Sequence, residues 1–119
     1  MIANKLKLAE KNARYSNVKR AKVSAIAFTA SGQVIAKAHN RRIGVKNQKF
    51  TEHAEECLIQ KLNKLKAFDR FENIYILVVR VIKVSLAIAK PCKKCKSLLE
   101  KYPVTILYTD FDGSIKECK

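Results

Sequence analysis

Two short motifs carry the residue types that zinc chemistry requires. The first is His53-Ala54-Glu55, and the second is Pro91-Cys92-Lys93-Lys94-Cys95. One imidazole and two thiolates are three ligands of suitable softness for Zn²⁺, and three protein ligands leave a fourth tetrahedral position open for water. An open position marks a catalytic site. The sequence therefore predicts one zinc ion per chain, held by His53, Cys92 and Cys95.

Glu55 lies two residues beyond the histidine, close to the predicted metal without being a ligand. A carboxylate in that position can take a proton from water and pass it to a ring nitrogen and a leaving amine. The combination H-x-E…P-C-x-x-C is the signature of zinc enzymes that deaminate a nucleobase. We therefore expect Glu55 to be the catalytic residue.

Each motif alone permits a simpler interpretation. An H-x-E pair on a helix is usually solvated, and a C-x-x-C pair can be a redox site. Cys57 follows His53 by four residues, and as a fourth ligand it would make the zinc structural. A non-catalytic zinc module that binds nucleic acid is the second hypothesis, and a redox protein is the third.

The chain resembles the cytidine and deoxycytidylate deaminase superfamily, which also has branches acting on tRNA adenosine and on cytidine in polynucleotides. The resemblance runs from about Ala21 to the end and rests on both motifs and on Asn40 with Arg41. It implies that Asn40 contacts the nucleoside, and we assign Arg41, Ala54 and Lys90 to substrate binding as well. It also implies a central sheet with helices on both faces and zinc between two helix ends.

The first half of the chain must position His53 and Glu55. Apolar residues spaced three and four apart predict an amphipathic helix over residues 2–15. Residues 22–29 and 33–40 are predicted strands joined by a turn at Ala30-Ser31-Gly32, which makes a hairpin. Residues 41–49 form a predicted basic loop.

The second half must position the cysteines. Thr51 is the predicted cap of a helix over residues 52–66. The β-branched run Ile74–Ala89 predicts one long strand, or two with a bend near Lys83. Pro91 stands where a helix often begins, and that helix is predicted over residues 92–102.

A strand over 104–109, a turn at 110–113 and a strand over 114–118 complete the chain. So short a turn forces the last two strands to be antiparallel. The order of elements predicts an α/β fold over residues 1–119 as a single domain. It is a three-layer α/β/α sandwich with one mixed sheet of about five strands.

The net charge of +15, from 25 Lys and Arg against 10 Asp and Glu, indicates a polyanionic partner. Two predicted basic clusters flank the motifs: Arg41, Arg42, Lys46 and Lys49, and Lys90, Lys93, Lys94 and Lys96. They favour cytosine in single-stranded DNA or RNA as the substrate. The terminal hairpin instead resembles the branch that includes free-cytidine deaminases, and is unlike the branch that includes deoxycytidylate and tRNA-adenosine deaminases. Free cytidine, deoxycytidine or deoxycytidylate is the alternative, followed by adenosine in tRNA.

The cysteine pattern also bears on location. A C-x-x-C pair and the charged first twelve residues, which form no signal peptide, favour a reducing, cytoplasmic compartment. Arg80 and Lys83 interrupt the longest apolar run, which is too short to span a bilayer, so no membrane partner is expected. The resemblance allows a homo-oligomer but selects no particular state.

Overall fold

Most of the strands belong to one mixed sheet. The computed structural model describes residues 2–18, 22–43, 50–82, 85–87, 89–110 and 114–118. The helices are α1 (Ile2–Ala13), α2 (Ala54–Lys64), α3 (Ala67–Arg70) and α4 (Lys93–Leu99). The strands are β1 (Lys22–Thr29), β2 (Val34–His39), β3 (Arg41–Ile43), β4 (Phe50–Glu52), β5 (Ile74–Ile82), β6 (Ser85–Ala87), β7 (Val104–Thr109) and β8 (Ile115–Glu117).

The order in the main sheet is β2-β1-β5-β7-β8, with β6 pairing with β5 as a short addition. Strands β5 and β7 are parallel, and the other pairs are antiparallel. This mixed sheet agrees with the prediction of about five strands. The last two strands, β7 and β8, form the expected antiparallel pair.

Alternating side chains of β5 pack against two separate helical layers. Leu77 and Val79 face α1, whose Ala9 and Ala13 are completely buried. Ile76 and Val78 face the layer that contains α2, α3 and α4. This alternation is the expected period of a strand that is buried on both faces. The predicted three-layer α/β/α sandwich is therefore confirmed.

The apolar run at 74–89 folds as two antiparallel strands, one of the two predicted forms. Ile82 pairs with Ser85, so β6 returns along the edge of β5. The backbone N–H of Ala89 then donates to the carbonyl of Thr109 at the end of β7, with a 2.8 Å separation. This contact places the beginning of α4 at the carboxyl ends of β5 and β7.

Between residues 41 and 52 the structure corrects the sequence prediction. The predicted basic loop begins instead with β3, which pairs with β4 so that Arg41 lies opposite Glu52; residues 44–49 lie outside the described part. Thr51 lies in β4 and caps no helix, because the N-cap of α2 is His53. A cross-strand pair of opposite charges stabilises such a short ribbon.

The helices are also shorter than predicted. The predicted helix 52–66 is interrupted after α2 by Lys66, which has a φ of 53°, and continues as the single turn of α3. The predicted helix 92–102 is confined to Lys93–Leu99. Within the described residues, no helix has the length and apolar character needed to cross a membrane.

Asn12 fastens α1 to the sheet. Its buried side-chain amide donates to the hydroxyl of Ser24 and to the carbonyl of Ala38, both at 2.8 Å. We expect Asn12→Ala to lower the free energy of unfolding by about 1–3 kcal/mol, because two buried acceptors lose their donor. Chemical denaturation followed by circular dichroism measures the change. Asn4→Ala, an exposed position on the same helix, is the control; equal effects of the two substitutions would contradict this role.

Candidate active site

The fold brings three metal-ligating side chains together. Candidate donor atoms of His53, Cys92 and Cys95 all lie within 4.8 Å of one another. The His53 Nδ1 atom is 3.2 Å from Cys95 Sγ and 3.8 Å from Cys92 Sγ. Ligand bonds of zinc to nitrogen and sulfur in a tetrahedron place such donors roughly 3.5–3.8 Å apart. The geometry therefore fits one zinc ion.

His53 is held by the start of α2. Its backbone is extended, with φ −75° and ψ 148°, and its carbonyl accepts the first helical hydrogen bond from Cys57 at 3.1 Å. Its N–H donates to the Glu56 carboxylate at 3.3 Å. These contacts fix the backbone that carries the imidazole. They also place this predicted ligand immediately before the positive end of the helix dipole.

The two cysteines are held by the start of α4. The extended backbone of Cys92 precedes the helix, and its carbonyl accepts from Lys96 at 2.8 Å. Cys92 is exposed, whereas Cys95 is completely buried. Burial raises the pKa of the Cys95 thiol, and the charge of Glu55 raises it further. A cation is what allows such a thiol to ionise, so the donor set is suited to a metal.

Glu55 lies beside these donors. Its side chain is only 5% exposed, and burial raises the pKa of the carboxyl group. The charge of His53 and a hydrogen bond with Cys95 act in the opposite direction. A desolvated carboxyl group of this kind has the chemistry of a proton carrier.

Cys57 is separate from the metal donors. Its thiol donates to Glu52 Oε1 at 2.6 Å, and the same oxygen accepts from Arg41 Nε at 2.9 Å. Burial and the Glu52 carboxylate raise the pKa of Cys57 to about 11. The hydrogen bond from Cys57 and the pairing with Arg41 lower the pKa of Glu52. Among the described residues the metal group thus has three members, which leaves a coordination position open.

The four predicted substrate contacts have different surroundings. Asn40 is buried, and its Oδ1 accepts from Ser16 Oγ at 2.6 Å and from the Val23 N–H at 2.9 Å. Ala54 is completely buried between His53 and Glu55, while Lys90 is exposed just before Pro91.

Arg41 is half exposed and pairs with Glu52, which the sequence did not predict. Of the remaining basic residues near the motifs, Lys94 pairs with Glu56 and Lys96 with Glu100, while Lys93 is exposed. The side chain of Arg42 and all of Lys46 and Lys49 lie outside the described part.

Arg80 was not among the predicted site residues. Arg80 lies two residues beyond Val78 on β5 and so faces the layer of α2 and α4. It is opposite Val23, which is hydrogen-bonded to Asn40. In the described part of the chain, Arg80 Nε is a buried nitrogen without a hydrogen-bond partner. An arginine inside an apolar run was the available signal.

Zinc content separates the three predicted ligands from Cys57. We expect one zinc per chain in the purified protein and in Cys57→Ser, because serine retains a donor for Glu52. In Cys92→Ser the zinc content should fall well below one per chain, because a soft thiolate is lost. Elemental analysis measures this ratio. Zinc loss confined to Cys57→Ser would contradict the ligand set.

The fold is similar to that of several solved deaminases. Structures of dCMP deaminase from the cyanophage S-TIM5, in apo form and in complex with dCMP and dUMP, each give a TM-score of 0.67. Their sequence identities to this chain are 21% and 20%. The matched parts span 91% and 92% of this chain, and 81% and 80% of the phage chains. Cytidine deaminase from Burkholderia pseudomallei gives a TM-score of 0.66 at 14% identity, covering 100% of this chain and 92% of its own.

These likenesses concern the fold, and they include both a nucleotide and a nucleoside deaminase. No curated protein sequence matches the chain. The family profile described as the cytidine and deoxycytidylate deaminase zinc-binding region matches residues 2–109. This match includes α1, which precedes the part that carried the resemblance in the sequence. Since it also spans both zinc motifs, the protein belongs to the cytidine and deoxycytidylate deaminase family of zinc-dependent hydrolytic deaminases.

Proposed function

We propose that the protein hydrolyses cytosine to uracil, with Glu55 as the catalytic residue and His53, Cys92 and Cys95 as the zinc ligands. The observation that carries the proposal is the convergence of these three donors from two helix starts, with a buried carboxyl group beside them. A non-catalytic zinc module would have no use for a desolvated Glu55, and a redox pair would not need His53.

The protein's own groups account for the proton transfers. When bound, zinc supplies a Lewis acid that lowers the pKa of water in the site to about 7. Glu55 takes a proton from the attacking water and delivers it to N3 of the ring as oxygen adds to C4. It then passes the second water proton to the leaving amino group. The products are uracil and ammonia, and Glu55 returns to its starting state.

We assign the orientation of the substrate to Asn40, Ala54 and Arg80. Two hydrogen bonds on its Oδ1 fix the amide of Asn40, which is the rigidity that a nucleoside contact needs. The place of Ala54 between His53 and Glu55 supports its proposed substrate role, although its side chain is packed in the core. Arg80 supplies a cation for an anionic or carbonyl group of the substrate.

Glu55→Ala should reduce deamination by about 100- to 10,000-fold, because the proton carrier is lost. Zinc content and the circular dichroism spectrum should remain those of the wild type. Release of ammonia measures the activity. Glu100→Gln, at the far end of α4, is the control and should retain activity, since its surface pair with Lys96 contributes little. Full activity in Glu55→Ala would exclude the mechanism.

The carrier of the base is proposed to be single-stranded DNA or RNA. The +15 charge supports this, together with exposed Lys90 and Lys93 beside the cysteines. Base stacking receives less support, since Phe28 and Tyr108 are buried in the core. The thiol-rich site is also consistent with a cytoplasmic location.

A free nucleotide or nucleoside is the second candidate. The antiparallel β7–β8 ending favours a free nucleoside, whereas the likeness to solved enzymes that include a dCMP deaminase bound to dCMP and dUMP favours a free nucleotide. Ion pairs of Lys94 and Lys96 also reduce the positive charge close to the site.

A panel of substrates distinguishes the two candidates. With cytidine, deoxycytidylate, a single-stranded oligodeoxynucleotide and tRNA at equal concentrations of cytosine, we expect the highest kcat/KM for the oligodeoxynucleotide. Higher salt should reduce that value much more than the value for cytidine, because phosphate contacts are screened. Uracil formation is the measurement. Activity confined to cytidine or deoxycytidylate would refute the polynucleotide substrate while leaving the deaminase chemistry intact.

A further inference from the structure

We propose that a groove between β2 and α2, outside the zinc site, binds the phosphate backbone of single-stranded nucleic acid. This groove, here named the basic groove, is lined by Lys37, His39, Arg41, Lys61 and Lys64. The identity of its ligand rests on the polynucleotide substrate proposed above. Its existence as a cationic channel rests on the structure alone.

Two adjoining clefts make up the basic groove. One, of about 260 Å³, is lined by His39 and Arg41 on one side and by Lys61 and Lys64 of α2 on the other. The second, of about 370 Å³, shares Lys61 and Lys64 and adds Lys37. Both lysines of α2 line both clefts, so the clefts adjoin each other along the helix. Together they follow β2 for roughly 13 Å, at about 3.3 Å per residue from Lys37 to Arg41.

The charges in the basic groove are poorly compensated. Arg41 is paired with Glu52, but no residue lining either cleft is acidic. The Lys61 ammonium donates to the Lys37 carbonyl at 2.7 Å, which holds it against the edge of the sheet. Lys37 contributes this carbonyl, and Lys64 is exposed on the same helix as Lys61. The two ammonium groups of Lys61 and Lys64 line the same clefts and repel each other, and a polyanion removes that repulsion.

The shape of the basic groove favours a chain-like anion. The cleft beside Arg41 is the more enclosed of the two, the cleft beside Lys37 is shallow, and the small side chains of Ala36 and Ala38 form part of the lining. A flat membrane surface would reach the shallow cleft but not the lining of the more enclosed one. Apart from the imidazole of His39, none of the residues that line the clefts is aromatic, so stacking of bases contributes little there. The basic groove is therefore suited to the sugar–phosphate backbone, independently of sequence.

The basic groove is also connected to the catalytic end of the molecule. Helix α2 carries Glu55 in its first turn and Lys61 and Lys64 near its end. A rise of about 1.5 Å per residue places Lys64 roughly 16 Å from His53. Arg41, at the near end of the groove, directly follows Asn40. The basic groove and Glu55 therefore lie on one helix, with Glu56 and uncharged residues between them.

The test is a binding measurement that does not depend on catalysis. A labelled single-stranded oligodeoxynucleotide is titrated with wild type, with Lys61→Gln/Lys64→Gln and with Lys7→Gln/Lys11→Gln, and fluorescence anisotropy gives Kd at several salt concentrations. Lys7 and Lys11 are exposed on α1, across the sheet, so the two variants lose equal charge. We expect the groove variant to bind at least 10-fold more weakly at low salt. Its salt slope should fall by roughly 0.7 for each lost contact.

Additional variants and probes make the outcome decisive. Lys61→Arg/Lys64→Arg keeps the charge and should bind like the wild type. Turnover of deoxycytidylate should be unchanged in the groove variant, which shows that its fold and zinc site are intact. Equal weakening in the groove and α1 variants, or binding of anionic vesicles in preference to the oligonucleotide, would overturn the proposal. If the enzyme deaminates only free nucleotides but binds oligonucleotides through Lys61 and Lys64, the proposed polynucleotide substrate is refuted and the proposed binding groove is supported.

Discussion

The structure depends on one electrostatic constraint, the meeting of His53, Cys92 and Cys95 within 4.8 Å. Cys95 and Glu55 are both buried beside this point, and each has its pKa raised by the loss of water. Two potential anions in so small a volume repel each other unless a cation lies between them. Zinc thus has two effects at once, since it makes the ionised donors stable in the folded chain and supplies the reaction's Lewis acid. The starts of α2 and α4 are where the backbone adds favourable partial charge.

The sheet determines where those helix starts can lie. The pairing of β6 with β5 and the bond from Ala89 to Thr109 return the chain to the carboxyl ends of β5 and β7 before α4 begins. On the other side, the β3–β4 ribbon and its Arg41–Glu52 pair lead directly to His53. Across the sheet, Val23 lies opposite Arg80 and its N–H donates to Asn40. The strand pairing therefore places the starts of α2 and α4, which carry the metal donors, at the same edge of the core.

The sequence predicted the donors because a zinc site restricts both residue type and spacing, as in H-x-E and P-C-x-x-C. It also predicted the layers and the end pair β7–β8, since alternation and short turns are local signals. It missed β3 and β4 because three-residue strands carry no periodicity, and the pairing of Arg41 with Glu52 joins positions 11 residues apart. The misplaced cap has the same origin. Thr51 is a good N-cap by residue type, but its place in β4 leaves that position to His53. Tertiary pairing decided each of these cases.

The substrate, like the short strands, depends on contacts between residues that are distant in the sequence. The two motifs describe an attack on a ring carbon, and they are equally compatible with a free nucleotide and a polymer. A total charge of +15 indicates a polyanion but not its path. Lys37 and Lys61 are neighbours only because β2 packs against α2, where the ammonium of one residue reaches the backbone of the other. Whether the substrate is a free nucleotide or a polymer is therefore inferred from surfaces that exist only in the folded chain. In the described part of the chain, the basic groove is such a surface, and it shares α2 with Glu55.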